Sequence, residues 1–126
     1  MQMTEIWTYR EGADLGFDPS AGRDLTGFGV EARDGSIGKI DEATYEVGSS
    51  YVIVDTGPWI FGKKVMLPAG VIQRVDENDE KVFVNRTKDQ IKDAPEYDES
   101  LTGDNRYRGE LGTYYGEGGS GYRGWD

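Results

Sequence analysis

The chain has 126 residues and a formal charge of −10, from 24 acidic and 14 basic side chains, with no histidine and no cysteine. Those two zeros exclude a Ser-His-Asp or Cys-His nucleophile, a Cys/His zinc site, a thiolate iron–sulfur cluster, a disulfide and an ordinary histidine switch. Hydrophobic residues make up only 36 % against 19 glycines, so one domain with flanks that add little to its core is expected.

Texture divides the chain into three zones. Residues 1–23 are irregular, punctuated by Gly12, Gly16, Pro19 and Gly22. Their one apolar cluster, Ile6, Trp7 and Tyr9, suits a short edge strand or a segment lying across a barrel. Residues 24–98 are dense in short β-type runs. Phe28, Val30 and Ala32 alternate with Gly29, Glu31 and Arg33, a half-buried strand, and Asp34-Gly35-Ser36 supplies a turn. Ile37, Ile40 and Ala43 define a second strand whose spacing of three predicts a bulge near Gly38 to Ile40.

Residues 51–56 form the strongest β run, carried by Val52, Ile53 and Val54. After the Gly57-Pro58 turn, residues 59–67 read as a strand with Trp59, Phe61, Val65 and Leu67 on one face, closed by Pro68, which cannot donate to a ladder. Residues 71–75 and 81–85 form a hairpin about the polar tip Asp76-Glu77-Asn78-Asp79-Glu80. Thr87 with Gln90 makes a capping box for one short helix that Pro95 ends and Ile91 docks. Residues 99–126, with eight glycines and four tyrosines, read as a flexible low-complexity tail. Six short strands and one terminal helix predict an all-β fold, a small, partly open antiparallel barrel.

Few motifs suggest chemistry. Gly116-Glu117-Gly118-Gly119-Ser120-Gly121 has the letters of a dinucleotide loop but lacks the strand and helix that would make it one. The acidic hairpin tip lacks the glycine and the glutamate that a calcium loop needs at its sixth and twelfth positions. Asp41 and Glu42, adjacent on a strand, point to opposite faces and do not share an acid–base site. Asn85-Arg86-Thr87 matches a glycosylation sequon by chance. No catalytic residue, metal ligand or cofactor is assigned.

Arg106-Tyr107-Arg108-Gly109 and Tyr122-Arg123-Gly124 have the composition of single-strand RNA binders. The surrounding negative charge opposes nucleic acid, and it is spread over all three zones as −2, −6 and −2. The candidate interaction surface is Trp59, Phe61, Lys63 and Lys64, because aromatics beside cations anchor interfaces. The start of the chain has no basic region followed by an apolar one, and the apolar runs 51–54 and 65–67 fall far short of the roughly 20 residues of a membrane span. The expectation is a soluble, cytoplasmic protein.

The middle zone resembles the PRC-barrel domain family. The likeness runs through GFGVEARDGSIGKIDEATYE (27–46), YVIVDTGPWIFGKKVMLPAGVIQRVD (51–76) and VFVNRTKDQIKDAPEYD (82–98). It is carried by the Asp34-Gly35 turn with Ile37-Gly38-Lys39, by Lys63-Lys64 with Leu67-Pro68, and by Thr87 to Pro95. With its Gly/Tyr-rich tail the chain looks like the small stand-alone bacterial members. The resemblance implies a partly open barrel over residues 24–98, no common enzymatic activity, and a role as a protein-interaction adaptor whose partner is another protein or a second copy. Two settings known for the family supply alternatives. One is ribosome or RNA association, as for the barrel of a ribosome maturation factor. The other, more remote, is accessory support of an electron-transfer complex, as in the photosynthetic reaction-centre H subunit. The chain has neither the membrane helix of the H subunit nor the additional N-terminal barrel of the ribosome factor.

Overall fold

The computed structural model describes residues 6–10, 15–18, 23–46, 48–57 and 63–116. Six strands follow in order, β1 (Gly29–Ala32), β2 (Gly35–Ala43), β3 (Tyr51–Asp55), β4 (Lys64–Pro68), β5 (Ile72–Asp76) and β6 (Lys81–Val84). Two α-helices come after them, α1 (Lys88–Lys92) and α2 (Asn105–Gly116). A single sheet takes the strands in the order β4-β3-β2-β1-β6-β5. The all-β expectation holds in its main sense, since the architecture is mostly sheet.

The purely antiparallel expectation does not hold. β1 pairs β6 in parallel, Gly29 opposite Lys81 and Glu31 opposite Phe83, so the sheet is mixed. The cause is the connection after Pro68. Ala69–Val71 forms a short 3-10 turn that leads from β4 at one edge to β5 at the other without reversing the chain. A reading that turns the chain back at every Pro or Gly assigns the next strand the opposite direction. The ladder does not join β4 to β5, so the described strands form an open sheet.

The expected bulge in β2 appears as two slips of register. Ile37 has no partner in β1, whose Val30 and Glu31 face Gly38 and Ser36, and Asp41 has none in β3, whose Val54 and Ile53 face Ile40 and Glu42. Gly38 sits between them at φ +144° with Asp55 O 2.0 Å from where a β-carbon would stand, so only glycine fits there. The hairpin β5–β6 forms as expected, with Asp76 opposite Lys81. Thr87 caps α1 through a complete capping box with Gln90, and Ile91 is buried.

One core gathers the inward residues of all six strands, among them Val30, Ile40, Val52, Leu67, Ile72 and Val82. The flanks join it. Tyr9 and Leu15 are buried, with Tyr9 stacked on Tyr45 at 5.7 Å. The expectation of a flexible tail is corrected over α2, where Tyr107, Leu111 and Tyr115 are buried along one face. Their spacing of four places them on one stripe, and Asp104 Oδ1 caps the helix by accepting from Arg106 N and Tyr107 N at 2.8 and 3.1 Å. Residues 117–126 lie outside the described set. No described helix is long and apolar enough to cross a membrane.

The two ends of the sheet differ. On the β5 side, Val75 N donates to Leu15 O at 2.6 Å and Arg10 Nε to Gly70 O at 3.2 Å, so the N-terminal flank covers that edge. Gly16, at φ +76° with Val75 O 2.6 Å from the place of a β-carbon, lets the two backbones approach. β4 ends the sheet on the other side, with no strand beyond it among the described residues.

Candidate functional site

Two of the four residues expected at the interaction surface, Trp59 and Phe61, lie outside the described residues. The other two, Lys63 and Lys64, stand at the entrance to β4. Thr56 N and Thr56 Oγ1 both donate to Lys63 O, at 3.4 and 2.8 Å, and Ala69 N donates to Ser50 O at 3.0 Å. Antiparallel ladders alternate between paired and unpaired positions, so Val65 and Leu67 bond to β3. The backbone groups of Lys64 and Met66 therefore face outward, away from the sheet.

The lysines are already matched to acids. Lys64 Nζ lies 2.9 Å from Asp41 Oδ2 and 3.9 Å from Glu99 Oε2, and Lys63 Nζ lies 3.3 Å from Glu96 Oε2. Asp41 reaches Lys64 from the bulged position in β2, and bulges commonly re-aim a side chain in this way. Its hydrogen bond holds the Lys64 ammonium pKa above the ordinary lysine value. Glu96 and Glu99 are far more exposed than the lysines paired with them, at 81 and 82 % against 49 and 34 %.

Facing β4 is the connection from α1 to α2. Pro95 ends the α1 region, and Asp98 Oδ1 accepts from Ser100 N at 2.9 Å, starting the 3-10 turn Glu99–Leu101 and lowering the Asp98 pKa. The Tyr97 and Thr102 hydroxyls are 2.6 Å apart. α2 braces this wall from behind, with Tyr107 Oη donating to Pro95 O at 3.3 Å and Tyr114 Oη to Gln90 O at 2.6 Å.

A groove runs between the wall and β4. Its deeper part, about 170 Å³, is lined by Met66, Ile91, Ala94, Pro95 and Tyr115 together with the charged Lys63, Lys64, Lys92 and Glu96. It opens into a shallower depression of about 610 Å³ along Lys63, Lys64, Tyr97 and Leu101. Tyr115 is 1 % exposed, burial pushes its hydroxyl pKa strongly up, and that hydroxyl has no hydrogen-bond partner among the described residues.

The structure uses the other sequence candidates elsewhere. In the Arg106-Tyr107-Arg108 stretch, Tyr107 is core, Arg106 lies 3.9 Å from Glu110, and the Arg108 guanidinium stands over Trp7 at 4.7 Å and Tyr51 at 5.1 Å. Arg108 also donates to Ser49 O at 3.0 Å. At the acidic hairpin tip, Arg23 reaches Glu77 at 3.1 Å and Glu80 at 3.5 Å, while Asp76 Oδ1 accepts from Asp79 N at 3.0 Å. Glu42 follows the Asp41 bulge opposite Ile53, apart from the Asp41–Lys64 pair. Asn85 takes a hydrogen bond from Arg86, and Thr87 serves as the α1 cap. Among the described residues no group of three or more acidic, histidine or cysteine side chains is disposed to hold a metal.

Lys63 and Lys64 line this groove, and the wall opposite them was not among the residues expected at an interaction surface. The signal for the wall was present as Asp104 followed by Tyr107, Leu111 and Tyr115, masked by the glycines between them. No protein-family model matches the chain, and no curated protein sequence matches it.

Proposed function

We propose that this chain is a PRC-barrel-type module that acts without catalysis, as an adaptor binding another protein through an exposed face of its sheet. The observation that carries the reading is the groove between β4 and the α1–α2 connection, where apolar side chains such as Met66, Pro95 and Tyr97 line an accessible concave surface beside charged ones.

The barrel part of the reading rests on the Ala69–Val71 corner. Across a flat sheet of six strands the outer two stand about 24 Å apart at ~4.8 Å per strand. From Pro68 to Ile72 the chain spans at most about 14 Å, even extended. A sheet whose end strands are joined by so short a corner is curled toward closure, as a partly open barrel is.

The test is affinity capture with crosslinking from native lysate of the source organism, combined with sedimentation of the purified protein. A specific protein partner, or a defined oligomer of the chain, is the expected result. Recovery of no specific protein together with a monomer at all concentrations would overturn the reading.

A further inference from the structure

We infer that the deep end of the groove beside β4 binds a small aromatic monocarboxylate, its ring on the apolar floor and its carboxylate held by Lys63 and Lys92. This site is additional to the interaction-module reading and does not depend on it.

Size, lining and charge each narrow the occupant. The hollow of about 170 Å³ is close to the roughly 150 Å³ of an apolar cavity that holds benzene, and well below the roughly 300 Å³ at which drug-sized sites begin. It has room for one ring with a short substituent. Met66, Ile91, Pro95 and Tyr115 make its floor, and Met66 and Tyr115 favour an aromatic body over an aliphatic one.

Charge at this place runs against that of the whole. Although the chain carries −10, the deep end sets Lys63, Lys64 and Lys92 around one carboxylate, Glu96. Lys64 is committed to Asp41 at 2.9 Å. Lys63 meets Glu96 at 3.3 Å, an exposed pair of the kind worth little in water. Lys92, in the last turn of α1, forms no ion pair among the described residues. One carboxylate thus stands against two ammonium groups, one from the entrance to β4 and one from α1. The complement of that arrangement is a single negative charge on an apolar body. The shallower depression does not share it, since there Lys63 and Lys64 are balanced by Glu96, Asp98 and Glu99.

The experiment is an amide-resolved NMR titration of the full chain with phenylacetate at fixed ionic strength. Phenethyl alcohol keeps the body without the charge, phenethylammonium reverses the charge, and acetate has the charge without the body. Saturable shifts grouped at Met66, Ile91, Lys92 and Tyr115 are expected in the millimolar range. Phenethyl alcohol moves the same amides with about fivefold lower affinity, and phenethylammonium and acetate move none. Two variants read the charge from both signs. Lys92→Gln lowers phenylacetate affinity about fivefold, and Glu96→Gln, which frees Lys63, raises it about threefold. Both side chains are exposed, so neither variant changes the melting temperature or the binding of phenethyl alcohol.

The assignment is overturned if phenylacetate and phenethyl alcohol bind alike, if phenethylammonium binds as tightly as phenylacetate, or if the shifts fall outside the groove. It is overturned equally if phenylacetate at tens of millimolar produces no saturable shift, or if Lys92→Gln and Glu96→Gln move its affinity in the same direction. The affinity capture that tests the interaction-module reading is independent of all these outcomes, so the two stand or fall separately.

Discussion

Arg86 Nη2 donates to Tyr115 O at 2.5 Å, tying the chain between β6 and α1 to the last turn of α2. Arg86 is 9 % exposed, and its guanidinium stands over the Tyr115 ring at 5.7 Å and, among the described residues, forms no ion pair with a carboxylate. Burial lowers its pKa from the usual arginine value. Its counter-charge is the carbonyl end of a helix, where a cation satisfies groups that the helix itself cannot. Arg86→Ala is expected to cost about 2–4 kcal/mol in urea unfolding, because it removes a charged donor and the packing of a long stem. Arg86→Met keeps the stem and is expected to lose less. Equal losses would place the whole contribution in the hydrogen bonds.

The Tyr45 hydroxyl donates to Asp24 Oδ1 at 2.5 Å and accepts from the backbone N of Leu25 at 2.7 Å. That bond from Tyr45 is the main cause of the lowered Asp24 pKa, and burial with the adjacent carboxylate pushes Tyr45 up to about 12. The signs are opposite. A carboxyl depressed in the folded state contributes stability above about pH 4 and loses it as pH falls through its folded value. A raised tyrosine contributes below its unfolded value of about 10 and loses that contribution as pH climbs toward 12. Tyr45→Phe should therefore unfold at higher pH on the acid side and release one phenolic proton fewer on the alkaline side, followed by denaturant melts against pH and phenolate absorbance. Near neutral pH it should cost about 1–3 kcal/mol for the stranded Leu25 N–H.

Two glycines should respond with opposite signs. Gly38→Ala meets Asp55 O at 2.0 Å and a φ of +144°, and is expected to lose roughly 3 kcal/mol or more. Gly109→Ala lies exposed within α2, with nothing within 4 Å of the new β-carbon, and is expected to gain about 0.5–1 kcal/mol. Thermal unfolding of both reads the difference directly. A loss at Gly109 would show that the helix needs that backbone freedom.

Glu80 is the described non-glycine residue with a positive φ, 55°, at the end of the β5–β6 turn. Replacing it with glycine or asparagine, which adopt that conformation readily, is expected to raise stability by about 0.4–1 kcal/mol. The exposed contact to Arg23 at 3.5 Å is too weak to offset this. Unchanged or lowered stability would give that contact a larger role.

Local chemistry made the strands and α1 legible. Thr87 and Gln90 stand three apart in a pattern with one physical meaning, and the Ile37/Ile40 spacing encodes a broken alternation within a single strand. Two features depended on distant partners. The parallel pairing of β1 with β6 follows from where Ala69–Val71 delivers the chain, which no residue in β1 encodes. α2 was obscured because Gly109 and Gly112 lower its intrinsic helicity, while its stability comes from burying Tyr107, Leu111 and Tyr115 against the core. Half of the candidate site was visible as Lys63 and Lys64. The groove between them and the α1–α2 connection exists only once that helix is docked.

The parallel pairing of β1 with β6 also sets an order of events. β1–β2, β2–β3, β3–β4 and β5–β6 are contacts between strands adjacent in the chain, whereas Gly29 meets Lys81 only after about fifty intervening residues have been laid down. Closing a loop of that size costs entropy before any contact repays it. The seam between β1 and β6 is thus expected to form last, from two sub-structures that are each already hydrogen-bonded. Side-chain truncation at Val30 or Val82 should then mainly accelerate unfolding, whereas truncation at Val52 or Ile53 should slow folding.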